Sequence, residues 1–188
     1  MASRLLVLLA ICVSAHAAEL DGVTLADRVQ VDGQPLQLNG IAVRTRYAFF
    51  KVYVAGLYLP QKTASAAAAI DGGGAKRISL TMVRNASAEQ FLEAIEAGLR
   101  ANNSAAQLAE VKPQVEQLFA KIRAAKEAKN GLRIVLDYAP SAKSTTLFLD
   151  DAPQGAPMAS EAFYRALLRI WLGERPVQDN LKKALLGG

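Results

Sequence analysis

The chain has 188 residues, 52% hydrophobic and 21% charged, with 22 Lys and Arg against 17 Asp and Glu. That balance suits one compact domain with a proper core and excludes a disordered or fibrous chain. The single cysteine and single histidine both fall near the N-terminus, as Cys12 and His16.

Met1 to Arg4 is a short basic start, and Leu5 to Val13 is an apolar run interrupted only by Cys12. Ser14-Ala15-His16-Ala17-Ala18 then offers an A-x-A site. This is the pattern of a secretory signal peptide cleaved after Ala17, leaving a domain over 18–188. The run is too short to span a bilayer, so the pattern predicts a periplasmic or secreted protein with no stable membrane insertion. Leu9-Ala10-Ile11-Cys12 departs from a lipoprotein signal in its bulky Ile11. Cleavage removes Cys12 and His16 together. Disulfides, thiolate nucleophiles, His or Cys ligation of zinc or haem, and imidazole-dependent triads are then excluded. No metal or cofactor motif is present, and export argues against a nucleic-acid partner despite the mild positive charge.

Residues 20–59 read as β. Val23-Thr24-Leu25 and Leu36-Gln37-Leu38 flank a turn at Asp32-Gly33, which predicts a hairpin or short meander. A stretch rich in Val, Tyr and Phe follows, from Ala42 to Leu59, and it carries three cations, Arg44, Arg46 and Lys51. A buried strand avoids charge unless the charge has a partner. Either these cations point to water, or one of them faces inward to meet an anion. Ala64 to Ala69 predicts a short helix ended by Asp71-Gly72-Gly73-Gly74, and Lys76 to Val83 a strand.

Ser87-Ala88-Glu89-Gln90 has the spacing of a capping box. Phe91, Ile95 and Leu99 then recur at helical spacing up to Asn102-Asn103. Ser104 and Gln107 repeat the box, Leu108, Val111, Val115, Leu118 and Ile122 hold one face, and Pro113 predicts a kink or restart. Lys121, Arg123, Lys126 and Lys129 read as the solvated helix end. Asn130-Gly131 is a turn before a half-buried strand, Leu132 to Tyr138, with a hairpin partner at Thr145 to Leu149. A helix capped near Ser160 carries the stripe Phe163, Leu167, Leu168 and Trp171, with Trp171 as a packing anchor and Gly173 as the C′ glycine. Pro176 opens a last short helix. Strands in two groups with helices between and after predict an α+β fold.

Two segments carry a resemblance: Asn39-Gly40-Ile41-Ala42-Val43-Arg44 running on to Val54-Ala55-Gly56-Leu57-Tyr58-Leu59, and Phe163 through Ile170-Trp171-Leu172-Gly173 to Leu185-Leu186-Gly187. Together they resemble the chalcone isomerase family, and most nearly its exported bacterial branch. The resemblance covers about residues 20–187. It implies an open-faced β-sandwich, an antiparallel sheet covered by a layer of helices, with ligands in the cleft between. In the plant enzymes of the family an arginine steers the substrate phenolate while threonine, tyrosine and asparagine complete the pocket. Those positions fall here on Arg44, Tyr53, Phe91 and Gly98, so one of the four keeps the enzyme's chemistry. Non-catalytic members bind fatty acids with an arginine and a tyrosine, a pattern that Arg44 and Tyr53 resemble better.

The resemblance therefore implies a ligand site of Arg44, Tyr53 and Phe91, no catalytic residue, and an apolar anion such as a fatty acid as partner. An isomerase or intramolecular lyase of unknown substrate and a structural or partner-binding envelope protein are the alternatives. Arg44 has its own alternative, an ion pair with Asp137. Positions 44 and 53 have opposite parity, so a turn or bulge near Arg46 to Ala48 has to intervene for them to share a face.

Overall fold

The computed structural model describes residues 17–47 and 49–188. The basic start, the apolar run, Cys12 and His16 of the expected signal peptide lie outside the described residues. Strands β1 (Ala17–Leu20) and β2 (Val23–Ala26) form a hairpin, followed by β3 (Arg28–Val31), β4 (Gln34–Arg46) and β5 (Phe50–Leu59). Helix α1 (Ala66–Asp71) leads to β6 (Lys76–Met82), the short β7 (Ala86–Ser87), α2 (Ala88–Asn102), α3 (Ala105–Glu110) and α4 (Lys112–Ala124). The short β8 (Glu127–Ala128) pairs with β7, and β9 (Arg133–Ala139) and β10 (Ser144–Leu149) form a second hairpin. The chain ends through β11 (Ala152–Pro153), β12 (Met158–Ala159), α5 (Glu161–Leu172) and α6 (Asp179–Leu185).

The main sheet runs β11-β10-β9-β6-β5-β4-β3, with β12 also on β10, and its pairings are antiparallel. Alternation sends Ala42, Tyr53, Leu57, Ile78, Leu80, Ile134 and Leu136 to one face. There they meet Phe91, Ile95, Leu118, Phe163, Leu167 and Trp171 of the helical layer in a single core. The expected α+β architecture, a sheet under a layer of helices, is the observed one.

Both capping boxes form: Ser87 and Gln90 close α2, and Ser104 and Gln107 close α3. Pro113 sits in the first turn of α4, so the long apolar face is two helices, because proline suits a helix start where its missing N–H is not needed.

Five readings are corrected by tertiary context. The opposite face of the sheet is also partly covered: Leu25, Val31, Leu36, Leu38, Tyr58 and Ala75 make a second, smaller core. The turn at Asp32-Gly33 joins β3 to β4, while the Val23 strand pairs with β1 instead. Strand β9 is central and buried on both faces, not half-buried, because Asp137 on its second face is paired with Arg77. Gly173 has φ −68°, not a left-handed angle; glycine is needed there because a Cβ would stand 2.3 Å from Asn102 Oδ1. At the basic end of α4, read as solvated, Lys121 instead bonds the Ala156 carbonyl at 3.0 Å, and Arg123 meets Glu89 at 3.1 Å.

Candidate functional site

Helix α6 lies along β4 and is fastened at both ends. At its C-terminal end Asn39 Nδ2 donates to the Leu185 carbonyl at 2.7 Å, and Asn39 Oδ1 accepts from the Thr63 backbone at 2.7 Å. Gly40 follows. A Cβ there would stand 2.1 Å from the Ala184 carbonyl oxygen, so only glycine lets α6 come this close. At the N-terminal end the cap residue Gln178 accepts from Thr45 N–H at 2.9 Å and from Arg44 at 3.0 Å. The Asn39-Gly40 motif thus acts on the site indirectly, by seating the helix that holds Arg44.

Arg44 and Tyr53 stand directly opposite each other across β4 and β5, and a register shift follows at once between Arg44 and Thr45. Cross-strand partners share a face. The hairpin turn, with its bulge, therefore resolves the parity conflict and turns both side chains toward the helices. Asp137 is not the partner of Arg44. It takes a bidentate bond from Arg77, 2.6 Å on each arm, on the opposite face of the sheet.

Between this strand pair and helices α2 and α5 lies a cleft of about 670 Å³. Arg44, Tyr53 and Phe91 all line it, so the three residues singled out in the sequence come together. Val52 and Leu80 form the sheet wall, Phe91, Ile95 and Gly98 the α2 wall, and Ile170 and Trp171 the α5 wall. Phe91 is buried at the junction of cleft and core, contributing to both. Trp171, read as a packing anchor alone, is also a polar member of the site: its indole N–H donates to Tyr53 Oη at 2.9 Å. Gln178 was not singled out at all. Its signal was faint, a polar residue just ahead of a short helix.

The electrostatics are one-sided. Four arginines, Arg44, Arg46, Arg84 and Arg175, line the cleft, and among the described residues none has a carboxylate within 4.0 Å. Glu93 is the acid on the lining. Arg44 is half-buried and satisfied by neutral oxygens, Gln178 and the Thr45 carbonyl, so its charge has no anionic partner among the described residues. Burial pushes the Tyr53 phenol up to about 12, against the lesser pulls of the Trp171 bond and the Arg44 charge. At neutral pH it is a phenol whose oxygen already accepts from Trp171, and its own proton has no protein acceptor among the described residues. A fixed cation and a free O–H donor side by side, next to an apolar wall, fit a carboxylate on an apolar chain.

Among the described residues no group of three or more His, Cys, Asp or Glu is placed to hold a metal ion. No helix among them is long and apolar enough to cross a membrane.

The architecture is thus an antiparallel sheet under a helical layer, with a cationic cleft between. The chain belongs to the chalcone isomerase-like family, whose model matches residues 17–187. Its fold is similar to the crystal structure of a fatty-acid binding protein from Arabidopsis thaliana, with a TM-score of 0.71. That similarity spans 91% of this chain and 96% of the other, at 13% sequence identity. No curated protein matches the chain.

Proposed function

We propose that this protein is a non-catalytic carrier or store for a fatty acid or similar apolar anion, held in the cleft between sheet and helices. The observation that carries this reading is the pairing of Arg44, which lacks an anionic partner among the described residues, with the free O–H of Tyr53 at the end of an apolar wall. A carboxylate placed there takes charge-assisted hydrogen bonds from Arg44 and a neutral one from Tyr53. The cleft volume of about 670 Å³ falls within the ~300–1,000 Å³ of small-molecule sites. Each methylene transferred from water contributes ~0.8 kcal/mol, so the chain needs no polar contact along its length.

The fatty-acid binding protein of similar fold supports the same reading. An isomerase reading draws less support, because a phenol held near 12 donates a hydrogen bond far more readily than it transfers a proton at neutral pH. Export to the periplasm or medium, inferred from the N-terminal pattern, is part of the proposal. The test is native mass spectrometry of the purified protein with lipid extraction. A co-purifying or added fatty acid at one per chain is the expected result. A protein that stays empty with palmitate in excess overturns the reading.

A further inference from the structure

Across the described residues, three large hydrophobic side chains stand in water: Tyr47, Phe49 and Phe50, at 71%, 84% and 52% exposure. All three belong to the tip of the β4–β5 hairpin. Single exposed apolar residues are ordinary, but three rings on one tip are not. Tyr47 has φ +51°, a left-handed angle at which a bulky ring is an outlier and glycine or asparagine the easier choice. The ring is therefore held in water at a backbone cost.

The tip is also basic. The Arg46 guanidinium lies 4.9 Å from the Tyr47 ring centre, and that of Arg84 lies 5.1 Å from the ring of Phe50. Neither has a carboxylate within 4.0 Å among the described residues, while the nearby Lys51 is matched by Asp21 at 2.5 Å. Tyr47, Phe50, Arg46 and Arg84 line the mouth of the cleft as well.

We propose that this hairpin tip is a docking surface for an anionic phospholipid bilayer, through which the cleft exchanges its ligand with the membrane. The docking stands on the tip alone; the exchange rests on the fatty-acid reading above. Aromatic rings settle at the headgroup level and guanidinium groups meet lipid phosphates, so both halves of the tip are satisfied by one surface. A protein partner fits less well. The three rings expose on the order of 400 Å² at ~150–250 Å² per ring, below the ~800 Å² that each side of a stable interface buries.

Vesicle flotation of the full chain tests this, with phosphatidylglycerol–phosphatidylcholine vesicles set against phosphatidylcholine alone. Wild type floats with the anionic vesicles, and high salt weakens the binding. Arg46→Gln and Arg84→Gln each lower partitioning about fivefold. Phe49→Ser lowers it roughly tenfold and, since Phe49 is not among the cleft-lining residues, leaves palmitate affinity in vesicle-free solution unchanged. Transfer of a fluorescent fatty acid to anionic vesicles accelerates with vesicle concentration in wild type and far less in Phe49→Ser. Wild type that ignores anionic vesicles overturns the proposal, as does Phe49→Ser floating equally well. Sedimentation showing a wild-type dimer that Phe49→Ser dissolves assigns the tip to a second copy and overturns it too. Flotation by a protein that takes up no palmitate sustains the docking and removes the exchange.

Discussion

Arg44→Ala separates ligand binding from folding. In the free protein Arg44 bonds neutral oxygens, chiefly Gln178 at 3.0 Å. Its removal therefore costs stability only about 1 kcal/mol, which lowers Tm by ~2–4 °C in a chain of this size. In the complex it loses a charge-assisted contact to a carboxylate. Such contacts contribute about 1.5–3 kcal/mol, and half-burial of Arg44 places the loss near 2 kcal/mol, about 30-fold in Kd. The assay is isothermal titration of delipidated protein with palmitate below its aggregation limit, cross-read by fluorescence. Trp171, the sole tryptophan, lies on the cleft wall and reports occupancy. Arg44→Lys keeps the charge without the fork and recovers part of the affinity. Arg100→Ala, on the exposed side of α2 against Glu96, leaves Kd unchanged. Palmitate binding by Arg44→Ala within twofold of wild type refutes the reasoning, because the carboxylate then lies elsewhere.

Burial holds Tyr53 and Tyr58 at about 12 when folded against 10.0 for the free side chain, so each contributes stability that is full below pH 10 and lost as pH rises toward 12. In Tyr53→Phe the fall in stability with pH near 11, read by urea unfolding, becomes shallower by about one proton. The same variant strands the Trp171 N–H and loses about 1–3 kcal/mol at neutral pH. Gly40→Ala drives a methyl into the α6 backbone; the expected loss is about 3 kcal/mol by denaturant midpoint, and palmitate affinity falls with it as Gln178 shifts off Arg44. Arg77→Ala leaves Asp137 buried without its bidentate partner, with an expected loss of about 3 kcal/mol and palmitate affinity preserved, since the pair is on the far face.

Helix starts were the most legible part of the fold, because their signals are local: Ser87 with Gln90, Ser104 with Gln107, and Pro113 each sit within a turn of what they determine. Strand existence was also legible. What escaped was set by partners far along the chain. Nothing near β9 announces that Arg77, sixty positions earlier, neutralises Asp137 and lets that strand be buried on both faces. Trp171 looks like packing from its helical stripe, and only its meeting with Tyr53, 118 positions away, makes it part of the site. A charge among β-formers raises a question of its own, but three cations shared it, and the family resemblance is what singled out Arg44. Gln178 was missed because a glutamine ahead of a short helix raises none. The exposed tip was hidden for a related reason, since Tyr47, Phe49 and Phe50 have the composition of a buried strand and are exposed only because the chain turns there.

The central claim is that a ligand carboxylate sits against Arg44 and Tyr53, and carbon-13 NMR of carboxyl-labelled palmitate bound to delipidated protein tests it most directly. An adjacent guanidinium lowers a carboxyl pKa by ~1–3. The account predicts a separate bound signal that stays ionised below pH 4 in wild type and titrates at a higher pH in Arg44→Ala. A bound signal that titrates alike in both proteins, or no bound signal at all, contradicts it.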